Sequence, residues 1–249
     1  MSRRKQVLIA VGVAGSLLVV GAVVLILAFW DRATPVSAED VAATLDVPVV
    51  KEVPGGYGLY VYETSGFETT DALGGARHDY PDETYLTLRP GGCGTLVRWQ
   101  ALEQRWSEWD FCDDLAVAGW QSFNEWYGVS NHDVWSCGAP VPMAGEPGEV
   151  WEAECAKQNG TTAVNRFEVI GFETLEIGGE TVETLHIRQT ETQTGETDGT
   201  GVTDVWMLPG TPLMVRRTDD STTLTQSRIG PVEHHEEYVL QLTSIVPSG

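Results

Sequence analysis

The hydrophobic pattern divides the chain into an apolar amino-terminal run and a long region of strand-like alternation. Residues 7–30 contain no charged side chain. From Gly55 onward, apolar and other residues alternate at period two, as at Tyr57, Leu59 and Val61. Such alternation, rich in β-branched and aromatic residues, is typical of strands. We therefore expect an all-β domain with almost no helix.

The apolar run predicts one transmembrane helix over residues 7–30, because about 20 helical residues cross the hydrocarbon core. Basic residues at positions 3–5 precede it, so the positive-inside rule keeps residues 1–6 in the cytoplasm. Trp30 ends the run, where aromatic residues mark the membrane interface. The protein would be a single-pass, signal-anchored cell-membrane protein with residues 31–249 outside the cell.

A cleaved signal peptide is the alternative interpretation of this segment. Small residues follow the apolar run at positions 36–38 and could form a cleavage site. However, the apolar run is longer than a signal-peptide core of about 7–15 residues. This comparison favours an uncleaved anchor.

Residues 31–54 are predicted to link the anchor to a β domain over residues 55–249. Three prolines are spread through this segment. Residues 37–45 favour one short helix, with Ser37 as N-cap and Asp40 three residues later. The linker would hold the domain off the bilayer.

An internal repeat suggests two copies of one antiparallel meander, over about residues 55–137 and 150–249. The same landmarks occur twice in the same order, as duplication would produce. The matched residues are Gly66–Thr69 with Gly171–Thr174, Gly74-Gly75 with Gly178-Gly179, and Trp99 with Trp206. We therefore expect a duplicated half-barrel or sandwich, with both matched tryptophans in its core.

Four cysteines, all beyond the anchor, predict two disulfides in an exported region. Cys93 and Cys112 are equidistant from the turn predicted at residues 102–103. Cys137 and Cys155 are equidistant from a Gly-Glu-Pro-Gly turn. Residues equidistant from a hairpin turn face each other, which favours these two pairs. A zinc site is the alternative, but no C-x-x-C spacing is present.

The charge excludes one class of partner. The chain has 36 acidic and 15 basic side chains, a formal net charge of -21. Such a field repels phosphate, so we expect no nucleic-acid partner. A bound headgroup would be neutral or cationic for the same reason.

No catalytic signature is present: there is no G-x-S-x-G, H-E-x-x-H or Walker loop. We expect no enzymatic activity, no cofactor and no metal. Residues 233–237 (Glu-His-His-Glu-Glu) could offer a metal site on one strand face, but we interpret them as the solvated start of a strand. His186 is interpreted as a satisfied histidine within a sheet.

Tryptophan is the unusual feature of the composition. The chain has nine, and Trp106, Trp109, Trp120 and Trp126 have no matching tryptophan in the second copy. Indole rings can line an apolar groove or stack on sugars. We predict that these four bind a ligand; core packing is the alternative.

The second copy resembles membrane-anchored envelope proteins of actinobacteria, a likeness that implies a fold and no mechanism. More distantly, the long meander is similar in style to the half-barrel of LolA-type lipoprotein carriers. The motifs of the first resemblance are Ile170–Thr174, Gly178-Gly179, His186–Arg188, Gly195, Gly199–Gly201, Trp206, Pro209, Leu213–Arg216 and Tyr238–Pro247.

These features predict a membrane-anchored extracytoplasmic module that binds an apolar or glycolipid-like molecule, a lipid or a glycan. The alternative is an envelope scaffold or protein-interaction domain without a small ligand, whose protein partner the sequence does not identify. A concave, tryptophan-lined surface would favour the first. An exposed sheet edge without a cavity would favour the second.

Overall fold

The structure is a computed structural model that describes residues 31–45, 53–228 and 230–248. The predicted transmembrane helix at residues 7–30 and the cytoplasmic tail before it lie outside these residues. Within the described part of the chain, no helix is long and apolar enough to cross a membrane.

Thirteen antiparallel strands form a single sheet, which confirms the all-β prediction. The only helices in the described residues are α1 (Ala38–Ala42) and one 3-10 turn (Ala72–Gly74). The strands are β1 (Gly58–Thr70), β2 (Ala76–Asp79), β3 (Glu83–Pro90), β4 (Gly94–Leu102), β5 (Arg105–Cys112), β6 (Ala116–Trp126), β7 (Val129–Pro142), β8 (Val150–Lys157), β9 (Thr162–Ile177), β10 (Glu180–Thr194), β11 (Thr197–Met207), β12 (Met214–Ser227) and β13 (Gly230–Leu242).

The sheet closes on itself because β13 pairs with β1. Twelve strands therefore form a closed antiparallel barrel, and β2 is one extra strand that pairs with the last residues of β1. Gly66 lies at the closing seam with a φ of 140°. A Cβ there would lie 2.2 Å from the carbonyl oxygen of Glu237, so β1 and β13 can approach only at a glycine.

The two ends of the barrel differ. Because neighbouring strands are antiparallel, the turns after β1, β4, β6, β8, β10 and β12 lie at one end, which we call the rim. The opposite, closed end is filled by packed side chains. The largest fully buried hydrophobic side chains are Trp99, Tyr60, Tyr62, Leu86, Leu88, Leu102, Ile187, Leu213, Leu240 and Leu242.

The segment predicted as a linker packs on the barrel over residues 31–45. Ser37 caps α1 as expected, accepting a hydrogen bond from the Asp40 backbone at 3.1 Å. Val41 is 4% exposed and packs with Leu59 and Tyr85 on the outer face. Residues 31–45 therefore pack as part of the folded domain.

The duplicated half-barrel is not supported by the structure. Both supposed copies belong to one closed sheet, and matched residues differ in facing. Trp99 is fully buried beside Tyr238 inside the barrel, at 4.7 Å between ring centroids. Trp206 alternates with the buried residues Val205 and Met207, so it lies on the outer face. The register shifts at β-bulges in β9 and elsewhere, and a one-residue slip moves a side chain to the other face.

The predicted disulfides are confirmed. Cys93 is bonded to Cys112, with Cα atoms 4.5 Å apart. Cys137 is bonded to Cys155, its direct cross-strand neighbour, with Cα atoms 4.0 Å apart. The first pair staples the β4–β5 hairpin and the second staples β7 to β8.

Candidate functional site

The barrel encloses a cavity of about 850 Å³ between its packed core and its rim. The exposed residues Leu73 and Val129 line it at the rim. The buried residues Val141, Met207 and Met214 line it at the closed end. The cavity is thus open at the rim and has an apolar floor. Its volume is within the range of about 300–1,000 Å³ found for small-molecule pockets.

One wall of the cavity is aromatic and is formed by β5, β6 and β7. Inward-facing positions on these strands carry Trp109, Trp120 and Trp135. The rings of Trp120 and Trp135 stack, with centroids 5.7 Å apart. Phe111 and Val117 extend the same wall toward the floor. We call these five residues the tryptophan wall.

The four predicted ligand-binding tryptophans are divided between two faces. Trp109, Trp120 and Trp126 line the cavity. Trp106 points away from it, because β5 alternates and Trp109 faces inward. Its ring lies under the Arg98 guanidinium, 3.9 Å from the centroid, and stacks on Phe123. We therefore leave Trp106 out of the candidate site.

The opposite wall, formed by β10 to β13, is polar. Several of its charges are paired within the wall: Arg217 lies 3.3 Å from Asp219, and its Nε donates to the Tyr238 hydroxyl at 2.8 Å. The Arg217 guanidinium also lies 5.0 Å from the centre of the Trp109 ring, so it spans the two walls. Other polar lining residues of this wall include Gln189, Glu191, Gln193, Thr197, Thr203, Ser221, Thr223, Thr225, Ser227, His234 and Glu236.

Two polar atoms of the cavity lack partners. Gln193 is 9% exposed, and its Oε1 has no hydrogen-bond partner among the described residues. The indole Nε1 of Trp126 is buried and likewise unpartnered within the same ranges. An unpaired buried polar group costs about 1–3 kcal/mol, so a ligand that supplied one acceptor and one donor here would recover that free energy.

Glu191 adds a carboxyl group to this part of the wall. Its Oε1 accepts a hydrogen bond from the Gln193 amide at 2.6 Å. Burial raises the pKa of Glu191, and the hydrogen bond from Gln193 offsets that only in part. The group therefore holds its proton more readily than an ordinary carboxyl, and a protonated carboxyl can donate to a ligand oxygen.

A buried network links the rim to Asp31, the first residue that the structure describes. Glu68 is fully buried, and its carboxylate contacts His78 at 2.9 Å and His234 at 3.2 Å. The other ring nitrogen of His78 lies 2.8 Å from Asp31. Trp126 stacks on His78 with ring centroids 3.9 Å apart. This network holds Asp31 and one wall of the cavity together.

The pKa values of Glu68 and His78 are shifted in opposite directions. Burial opposes ionisation of Glu68, but its hydrogen bonds to His234 and His78, with Arg105 nearby, outweigh burial and lower its pKa to about 2. Burial disfavours the charged form of His78, but Glu68 and Asp31 outweigh it and raise the His78 pKa above its usual value. Both shifts favour an ionised pair.

Residues 233–237 are not the solvated start of a strand that we predicted. His234 and Glu236 do share one face, and that face lines the cavity. Glu236 is 6% exposed and forms a bidentate pair with Arg105, at 2.9 Å for both bonds. Long-range pairing of β13 with β1 brings this segment inside the barrel, and that contact is invisible in the local sequence.

His186 is a satisfied sheet histidine, as expected. Its ring nitrogens each lie 2.7 Å from a carboxylate, one on Glu173 and one on Asp204. Trp206 stacks on it at 4.2 Å between centroids. In residues 31–45, 53–228 and 230–248, no group of three or more His, Cys, Asp or Glu side chains is arranged to hold a metal ion.

The polar wall could not be predicted from the sequence, because it depends on closure of the sheet. The one available signal was β10, where Gln189, Glu191 and Gln193 alternate at period two after the buried Ile187. Polar residues that continue the buried face of a strand indicate an interior that is wet or occupied.

Comparison with known proteins does not assign this chain to a family. No protein-family model matches the sequence, and no curated protein matches it. One solved structure with a similar arrangement is the hypothetical lipoprotein YmcC from Escherichia coli, with a TM-score of 0.33 and 11% identity, over 70% of this chain and 83% of that one. Another is a candidate lipoprotein from Parabacteroides distasonis, with a TM-score of 0.30 and 11% identity, over 80% of this chain and 99% of that one.

These two likenesses are too low to carry an argument about this chain. The comparisons also do not show the resemblance to actinobacterial envelope proteins or the one to LolA-type carriers. Any function must therefore be argued from the cavity itself.

Proposed function

We propose that this protein is an extracytoplasmic binding module whose cavity takes a glycolipid-like amphipathic molecule. The observation that carries the proposal is the cavity of about 850 Å³, which has an aromatic wall, a polar wall opposite it, and one unpartnered polar atom on each side, at Trp126 and Gln193. An apolar tail would lie along the tryptophan wall and reach the floor at Met207 and Met214. A hydroxyl-bearing headgroup would lie nearer the rim.

The two unpartnered atoms indicate where the headgroup of the ligand would lie. Gln193 lies one residue from the rim end of β10, and Trp126 ends β6 at the rim. A hydroxyl group can donate to Gln193 Oε1 and accept from Trp126 Nε1, since it has both capacities. A sugar or polyol headgroup offers several hydroxyls and adds no charge to an acidic protein.

The location outside the cytoplasm is part of the same proposal. Two disulfides and no free cysteine in the described residues favour an oxidising compartment. The apolar run at residues 7–30 supports attachment to the membrane by one span.

The scaffold alternative has less support. It called for an exposed sheet edge and no cavity, whereas the twelve-stranded sheet is closed and has a cavity. Closure leaves few free edges through which strands of other chains could pair; those in the described residues include the outer edge of the short β2 and the part of β7 beyond its three-residue pairing with β8.

The test uses the full chain in phosphatidylcholine nanodiscs and titrates it with octyl glucoside below its micelle concentration. We expect saturable heat of binding by calorimetry and a shift in tryptophan emission. Octyl sulfate has the same tail and an anionic headgroup, so it should bind much more weakly. No saturable heat with octyl glucoside would contradict the proposed function and favour the scaffold.

Two variants assign the site and one serves as the matched control. Trp120→Ala should raise the dissociation constant for octyl glucoside about tenfold, since buried tryptophans carry much of a binding energy. Gln193→Ala should also weaken it. Trp106→Ala removes the same side chain on the outer face of β5 and should leave the dissociation constant unchanged. An equal loss in Trp106→Ala would exclude the cavity as the site.

A further inference from the structure

The open end of the barrel is also the end at which the described chain begins. Asp31 is held there by two bonds: its Oδ2 lies 2.8 Å from His78, and its Oδ1 accepts from the Tyr127 backbone at 2.9 Å. Tyr127 belongs to the rim turn after β6, and its hydroxyl donates to Ala72 in the rim turn after β1 at 3.2 Å. Asp31 is therefore tied to two rim turns.

The preceding chain must reach the barrel at this same place. The chain before Asp31 is joined to the barrel by the peptide bond at Asp31, and therefore at the rim. The apolar run of residues 7–30 ends at Trp30. After Asp31 the chain continues along the outside of the barrel, where Pro35 bridges Leu102.

The rim itself exposes hydrophobic side chains. Leu73 is 64% exposed and Val129 is 68% exposed, the two highest values among the exposed large hydrophobics of the described residues. Both belong to the cavity lining. Leu73 also has a φ of 51°, a backbone conformation that side chains other than glycine rarely adopt. A strained turn that presents leucine to water is what a contact with an apolar surface would compensate.

We propose that the rim docks on the outer surface of the lipid bilayer, so that the cavity opens directly onto the membrane. The apolar run of residues 7–30, which the sequence predicts to span the membrane, and the exposed rim side chains Leu73 and Val129 point to the same partner. With the proposed function, on which this last step rests, the ligand would enter tail-first from the outer leaflet and would not cross water.

The acidic surface of the domain sets a condition on this docking. Net charge favours repulsion from anionic lipids, so the rim side chains alone would bind a bilayer weakly. The predicted membrane span would remove this difficulty, because it would keep the rim at a high effective concentration next to the surface.

The experiment locates the rim without using any ligand. Val129→Cys, labelled with an environment-sensitive fluorophore, is made in the full chain and reconstituted in phosphatidylcholine vesicles that contain a nitroxide lipid. The matched control is Phe172→Cys, which is 53% exposed on β9, toward the closed end. We expect several-fold stronger quenching at position 129 than at position 172. Leu73→Cys should be quenched as strongly as Val129→Cys, which would show that the result at position 129 does not come from local misfolding. Mass spectrometry checks that both native disulfides are intact in each variant.

The outcomes separate the two proposals. Equal quenching at positions 129 and 172, or a full chain that does not enter vesicles, would overturn the docking of the rim. If octyl glucoside still binds in that case, the binding function stands and only its membrane-facing geometry fails. Strong quenching at position 129 without octyl glucoside binding would keep the docking and reject the ligand.

Discussion

At the scale of the residue, the Asp31–His78–Glu68 network predicts how stability depends on pH. His78 has a raised pKa in the fold, so its contribution is complete below its unfolded pKa of about 6.5 and is lost as pH rises through the folded value. Glu68 has a lowered pKa of about 2, so its contribution is present above about 4.3 and is lost as pH falls toward that value. The network is therefore strongest between these limits.

We expect the free energy of unfolding of the full chain to be higher at about pH 5.5 than at about pH 8.5, by urea denaturation. His78→Gln should lower stability by about 3 kcal/mol, because it leaves the buried Glu68 with fewer partners, and should flatten this part of the pH profile. The control is His132→Gln, an exposed histidine that contacts Gln121 at 2.8 Å. A slope that survives in His78→Gln would show that other groups set it.

At the scale of the element, the two disulfides should contribute unequally. They span 19 and 18 residues, so loop entropy gives each about 3 kcal/mol. Their strand pairs differ: β4 and β5 pair along the whole hairpin, whereas β7 and β8 pair only over Trp135–Cys137. The Cys137–Cys155 bond therefore closes the shortest seam of the barrel.

Replacing Cys137 and Cys155 by alanine should consequently destabilise the protein more than replacing Cys93 and Cys112. We also expect faster amide hydrogen exchange in β8 in the first variant, because the seam can open locally. The second variant has nearly the same loop length and is the matched comparison. Equal losses with no local exchange would mean that loop entropy alone explains both bonds.

The strands and the helix also show which features of the fold the sequence could predict. Alternation predicted the all-β fold, Ser37 the helix cap, and symmetry about turns both disulfides, since each depends on residues close together in the sequence. The pairing of β1 with β13 joins residues far apart in the sequence. The enclosed cavity, its polar wall and the burial of Glu236 depend on that pairing, so the sequence alone could not predict them. The repeat misled because matched residues such as Trp99 and Trp206 lie on opposite faces of the sheet, and the repeat landmarks do not reveal which face a residue occupies.

At the scale of the whole molecule, the orientation of the chain in the membrane should determine whether the two disulfides of the barrel form. Arg3, Arg4 and Lys5 lie before the apolar run, and the Lys/Arg bias of flanking segments sets orientation. In the predicted orientation, protease added to intact spheroplasts should degrade the domain, and a thiol reagent should find no free cysteine.

Replacing these three basic residues with glutamate should invert part of the population. The inverted molecules would have their cysteines in a reducing compartment, so the reagent should label them, and the seam between β7 and β8 would be unstapled. Arg166→Glu changes the charge of an exposed residue on β9 and is the control; it should leave every cysteine oxidised. If the charge-reversed chain remains fully oxidised and protease-sensitive, the basic cluster does not orient the protein. If the unaltered chain is protected in spheroplasts, the domain does not lie outside the cell.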